Sequence, residues 1–130
     1  MRKTLFALLF TIIMTAYAGN RVWGSELLMF ESPTCEWCEK WDEEIGTIYN
    51  NTDEGRTARL HRLTIHHTLP AQYGYVKAVL FTPTFVLVDG GRELGRIVGY
   101  PGEVYFWGLL DELLNRQSAE TTRGAAEPDT

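Results

Sequence analysis

The sequence predicts an α/β fold, a four-stranded mixed β-sheet with helices on both faces. Three observations predict it. The apolar run Leu27-Leu28-Met29-Phe30 is followed by an apolar stripe at helical spacing and then by an alternating segment, the order strand, helix, strand. Phe85-Val86-Leu87-Val88 and the segment from Arg92 to Gly99 flank Asp89-Gly90-Gly91, a hairpin signal. A last amphipathic segment follows Pro101-Gly102.

Each element has its own signal. Glu26 to Phe30 reads as a buried strand, broken by Ser32-Pro33-Thr34. From Cys35 the period changes: Cys38, Trp41, Ile45 and Ile48 recur at steps of three and four, one face of a helix running to about Asn50. Asn50 to Gly55 reads as a loop. Arg59 to Ile65 alternates and predicts a second strand. Leu69-Pro70 opens an expected second helix with Tyr73, Val76, Val79 and Leu80 on one side, weakened by Gly74. After Thr82-Pro83 come the two hairpin strands. Glu103 starts a final helix through about Arg116, with Phe106, Leu110, Leu113 and Leu114 on its apolar face. The first three elements form a βαβ unit, hence parallel strands and a right-handed crossover.

The 130 residues suit one domain, and 45% hydrophobic residues suffice for one core. Residues 1–18 read as a secretory signal. Arg2 and Lys3 precede an apolar run from Leu5 to Met14, and Ala16-Tyr17-Ala18 supplies a small-x-small cleavage pattern. Cleavage after Ala18 predicts a periplasmic protein. Residues 19–116 form the domain. Residues 117–130 carry no large apolar side chain and are expected to be a disordered tail.

Removing the signal leaves ten basic and seventeen acidic residues, a formal charge of −7. That excludes nucleic acid as a natural partner, and suits a partner with a positive face. The chain is minimal and is expected to be a monomer.

Only two cysteines exist, three positions apart, at Cys35-Glu36-Trp37-Cys38. A disulfide across so short a loop stabilises little. An exported protein whose only cysteines form such a pair is expected to use them for chemistry. The pair lies between a strand and a helix, where unpaired N–H groups favour thiolate over thiol. Cys35 is therefore the expected nucleophile. Cys38, one turn on and beside Trp41 and Ile45, is the expected resolving thiol. The alternatives are a structural disulfide or a zinc pair. Zinc would need two more ligands from His61, His66 and His67. Strand–CxxC–helix in a βαβ unit favours redox chemistry, which needs no cofactor and no metal.

Thr82-Pro83-Thr84 precedes the third strand. Read alone, Pro83 is a strand-start proline, since cis is only about 5–6% of X–Pro bonds. Trp37 is expected on the surface, where an aromatic suits a docking face, and Trp41 in the core.

Strand, CxxC, helix, strand, helix, Thr-Pro, hairpin, glycine and final helix together resemble the thioredoxin family over about residues 25 to 116. The resemblance implies a thioredoxin-like fold with a cis Pro83 packed beside Cys35 and Cys38. It further implies that the Thr82 backbone pairs with an extended substrate segment, and that Gly99 lines the same surface.

Several stretches resemble the periplasmic thioredoxins of bacterial sulfur-oxidation (Sox) clusters. They are Glu31-Ser32-Pro33-Thr34-Cys35-Glu36-Trp37-Cys38, Glu44-Ile45-Gly46-Thr47-Ile48-Tyr49, the Thr82 to Asp89 run, Gly99-Tyr100-Pro101-Gly102-Glu103 and Phe106-Trp107-Gly108-Leu109-Leu110. This resemblance implies a reductase that keeps the cysteine of a sulfur-carrier protein, SoxYZ, active during thiosulfate oxidation. A membrane thiol transporter would donate the electrons. The alternatives are a general periplasmic disulfide reductase or isomerase, a thioredoxin of cytochrome c maturation, and a non-redox binding module with structural or metal-binding cysteines.

Two departures from ordinary thioredoxin matter. Glu36-Trp37 replaces Gly-Pro inside the motif, and Met29-Phe30 stands where that family has a buried aspartate. Glu31 is the nearest carboxylate, so the proton route to Cys38 is open. Glu36 and Glu39 oppose thiolate formation at Cys35, which predicts a reductant rather than an oxidase.

Overall fold

The computed structural model describes Gly24 to Ala126. The expected signal segment, residues 1–18, its cleavage point and residues 127–130 lie outside the described residues.

Four strands form the sheet: β1 (Ser25–Glu31), β2 (Ala58–Thr64), β3 (Thr84–Asp89) and β4 (Arg92–Val98), in the order β2-β1-β3-β4. β1 runs parallel to β2 and antiparallel to β3, and β3 is antiparallel to β4. This is the expected mixed sheet. Alternation along a strand sends successive side chains to opposite faces. Leu27, Met29, Phe85 and Leu87 accordingly enter one core cluster, while Leu28, Phe30, Val86 and Val88 enter the other.

The first face is covered by helices. Helix α1 (Glu36–Trp41) continues into a π-helical turn at Asp42–Gly46, and a 3-10 turn at Tyr49–Asn51 follows. The helix was expected to run regularly to Asn50 with Ile48 on its inner face. Ile48 is instead 45% exposed and Tyr49 is fully buried. The π turn takes more residues per revolution, so the inward stripe advances by fours, from Trp41 to Ile45 to Tyr49. Trp41 packs its ring 5.3 Å from Phe85 and 5.8 Å from Phe106. The expected loop at 50–55 holds a further short helix, α2 (Asp53–Thr57), capped by the Thr52 hydroxyl, which accepts from Gly55 N–H at 3.0 Å.

Helix α3 (Glu103–Ala125) closes this face with Phe106, Leu110 and Leu113 buried. Gly95 makes the close approach possible, since a Cβ there would sit 2.4 Å from Leu113 Cδ2. α3 extends nine residues past Arg116, through most of the segment expected to be a disordered tail. Polar contacts hold that extension where apolar ones are lacking. Gln117 Nε2 donates to Asp89 at 2.6 Å and to the Ser25 hydroxyl, and Arg92 pairs with Glu120 at 2.8 Å. The hydroxyls of Ser118, Thr121 and Thr122 each donate to the carbonyl four residues back.

The second face is covered by the segment between β2 and β3. The helix expected there is absent: a single 3-10 turn, Ala71–Tyr73, lies in otherwise irregular chain. Tyr73 and Val76 are buried against Leu28 and Val86, and Tyr73 OH donates to Glu26 at 2.8 Å.

Candidate active site

Cys35 and Cys38 are joined by a disulfide at the end of the β1–α1 connection. The connection turns sharply there, with Cys35 N–H donating to Ser32 O at 3.2 Å. Cys35 caps α1, and its Sγ accepts from Cys38 N–H at 3.1 Å. A donor aimed at that sulfur favours its thiolate when the bond is reduced. Cys35 is 7% exposed and Cys38 4%, so the expected difference in their burial is slight in the oxidised form. Trp37, between them, is 60% exposed.

The Thr82–Pro83 peptide is cis, and the Thr82 and Ser32 hydroxyls lie 3.3 Å apart, which places the Thr-Pro segment against the approach to the cysteines. Gly99 N–H donates to Pro83 O at 2.7 Å, and Gly99 has φ +83°, a conformation suited to glycine. Tyr100 is buried in the same cluster as both cysteines. Its hydroxyl donates to Glu44, which Lys40 also binds at 3.0 Å. These two bonds, that from Tyr100 first, hold the Glu44 carboxyl below its ordinary range. Burial and the Glu44 carboxylate push the Tyr100 phenol up.

Glu31, the carboxylate next to Met29-Phe30 in sequence, is bound by Arg62 rather than free in water. Arg62 Nε lies 3.2 Å from both Glu31 oxygens, and its Nη1 and Nη2 donate to Asp42 at 2.7 and 2.8 Å. The bonds to Asp42 and then to Glu31 raise the guanidinium pKa further. Glu31 and Asp42 line a cleft of about 260 Å3 together with Cys35 and Cys38. Sequence reading passed over Asp42 and Arg62, because the π turn and β2 that carry them meet only in the folded chain. The available signal was register: parallel pairing sets Arg62 opposite Met29, diagonal to Glu31.

The histidines lie elsewhere. His61 Nε2 is 3.3 Å from Glu26, while His66 and His67 line a separate groove of about 560 Å3 with Leu69, Pro70 and Val79. Among the described residues no group of three or more His, Cys, Asp or Glu is placed to hold a metal ion.

Over 98% of its length, the crystal structure of the periplasmic thioredoxin SoxS from Paracoccus pantotrophus, in its reduced form, matches 72% of this chain at 47% identity and a TM-score of 0.69. The chain belongs to the thioredoxin family. A second structure, the thioredoxin Mala s 13 of Malassezia sympodialis, matches 68% of this chain and 74% of its own at 16% identity and a TM-score of 0.52, a likeness of fold alone. No family model and no curated protein matches the chain. Membership of the thioredoxin family, with Cys35 and Cys38 paired at the motif, makes this protein a thiol–disulfide oxidoreductase.

Proposed function

We propose that this protein is an exported, periplasmic reductase that keeps the cysteine of a sulfur-carrier protein of the SoxYZ kind in its active thiol form. The 47% identity to a periplasmic SoxS thioredoxin, spanning nearly that whole chain, carries the reading. A membrane thiol transporter supplies the electrons. Among the described residues no helix is long and apolar enough to cross a membrane.

In the mechanism, the Cys35 thiolate attacks the sulfur of the partner's cysteine in its disulfide or persulfide: the Cys35–partner bond forms, the partner's S–S bond breaks, and the other sulfur leaves as a thiolate or, from a persulfide, as hydrosulfide. Cys38 then attacks Cys35 Sγ, the Cys35–Cys38 bond forms, and the partner leaves as a thiolate. Thr82, Pro83, Gly99 and the exposed Trp37 form the docking surface. The Thr82 backbone pairs with an extended partner segment as an added strand. Trp37 supplies apolar contact. The exposed Glu36 and Glu39 beside Cys35 oppose its thiolate and favour a potential nearer thioredoxin than a dedicated oxidase.

Replacing Cys38 by Ser should leave partners trapped on Cys35. Recovery of a sulfur-carrier protein supports the reading. A spread of unrelated secreted proteins would instead indicate general disulfide reduction or isomerisation, and apocytochrome a role in cytochrome c maturation. Absence of insulin-reducing turnover would point to a non-redox binding module.

A further inference from the structure

Resolution by Cys38 requires a proton to leave a nearly buried thiol, because the thiolate is the attacking form and burial opposes its charge. Among the described residues the core offers no base to accept it. Met29 and Phe30 occupy the strand beneath, and the buried polar residues among those described are Ser25 and Thr84, neither a base. The proton therefore leaves through the cleft of about 260 Å3 beside Cys38, which has room for water.

We propose that Asp42 accepts the Cys38 proton across this cleft, and that Arg62 and Glu31 hold its carboxylate in place. The proposal rests on the reading of Cys38 as the resolving sulfur. Asp42 follows Cys38 by one helical turn, and its N–H donates to the Cys38 carbonyl, so the two residues share a helix face. The Arg62 fork binds Asp42 through two nitrogens and Glu31 through Nε and Nη2. Two carboxylates and one guanidinium leave one negative charge, so the trio can take up one proton and keep the guanidinium paired. Glu39 also lines the cleft but is exposed and outside this network.

The step balances as follows. With Cys35 in a mixed disulfide, the Cys38 S–H proton passes to Asp42 through water. The Cys38 thiolate attacks Cys35 Sγ, the Cys35–Cys38 bond forms and the bond from Cys35 to the partner sulfur breaks. The partner leaves as a thiolate, carrying the electron pair. In the reverse direction protonated Asp42 returns the proton to Cys38.

The charged groups around Cys38 are Glu39 and Asp42 from its own helical run, Glu31 from β1 and Arg62 from β2. The core cluster that holds Cys38 includes, after β4 and from α3, Tyr100, whose hydroxyl Glu44 engages, and apolar Phe106, Leu110 and Leu113.

A single turnover of the reduced protein with the probe disulfide 5,5′-dithiobis-(2-nitrobenzoate) separates the steps. The first thionitrobenzoate release reports attack by Cys35, the second resolution by Cys38. Asp42→Asn should slow the second release by about a hundredfold or more at about pH 6, the usual contribution of acid–base catalysis. The first release should be unchanged. The deficit should narrow as pH approaches the ordinary thiol pKa of about 8.5, where solvent removes the proton. Asp42→Glu should restore most of the rate, and Arg62→Gln should shift the pH profile of the second release alone. A second release at parental rate in Asp42→Asn at every pH overturns the proposal. So does equal slowing of both releases in the Asn and Glu variants, the mark of a structural role. Absence of both releases in the parent would overturn the oxidoreductase reading, and the proposal with it.

Discussion

The Tyr100 phenol donates to the Glu44 carboxylate, and so ties the segment after β4 to the helical run that begins at Cys35. Tyr100→Phe should lower the urea midpoint at neutral pH without changing the slope. The pH dependence follows from Glu44, whose folded pKa lies below its unfolded one. Its contribution is fully present above the unfolded value of about 4.3, and is lost as pH falls through the folded value. The gap between parent and variant should therefore close in acid. A gap as wide at about pH 3 as at about pH 7 would refute the link.

Gly55 admits no side chain. A Cβ there would lie 1.9 Å from the Tyr49 carbonyl oxygen and 2.7 Å from its carbon, both backbone atoms that cannot swing aside. Gly55→Ala adds helix propensity worth about 1 kcal/mol. The clash should outweigh it and leave a net destabilisation of about 1–3 kcal/mol, read by urea unfolding. A stabilised variant would show that α2 packs less closely on Tyr49 than described.

Gln117 anchors α3 to the sheet. Its amide donates to Asp89 at the end of β3 and to Ser25 at the start of β1. Gln117→Ala should cost about 1 kcal/mol and should increase amide exchange from residue 117 onward. Unchanged exchange would mean that the extension holds itself.

Burial, and then the bond to Glu26, raises the Tyr73 phenol to about 12. A neutral phenol favoured by folding contributes stability that is complete below the unfolded value of about 10, and is lost as pH rises through the folded value. Unfolding midpoints should fall above about pH 10, and less steeply in Tyr73→Phe. Near-ultraviolet titration should show this variant losing the amplitude of one tyrosine at about pH 12, while the later phase of Tyr49 and Tyr100 remains.

Gly99 presents open space to an added Cβ but holds φ +83°, which costs a non-glycine residue about 1–2 kcal/mol. Gly99→Ala should reduce kcat/KM for protein disulfides while leaving attack on the small probe disulfide near the parental rate. Equal losses on both substrates would place Gly99 outside the docking surface.

The strands were legible as short apolar runs bounded by turn residues and, from Arg59 to Ile65, as alternation. Leu27 to Phe30 and Phe85 to Val88 divide between the two cores as alternation requires. The helical regions were less so. Tyr73, Val76 and Val79 are three apart, a spacing shared by an α-helical face and by the three-residue turn found at Ala71–Tyr73. Pro70 and Gly74 bracket that turn. Tyr49 takes the inner place expected for Ile48 because of the π turn, which leaves no mark in composition. At the site, the cysteine pair and Thr82-Pro83 announced themselves as local motifs. Glu31, Asp42 and Arg62 come from three elements and pair only once the chain is folded.

The long last helix also sets a distance. Its 23 residues span about 35 Å at 1.5 Å per residue. It begins four residues after Gly99 and passes Gln117 beside Ser25, the end of β1 remote from the disulfide. A dye, tag or surface tether attached near Ala125 would therefore stand on the far side of the molecule from the cysteines. Electrode immobilisation or partner capture through that end leaves the docking face open, whereas attachment near Tyr105 would crowd it.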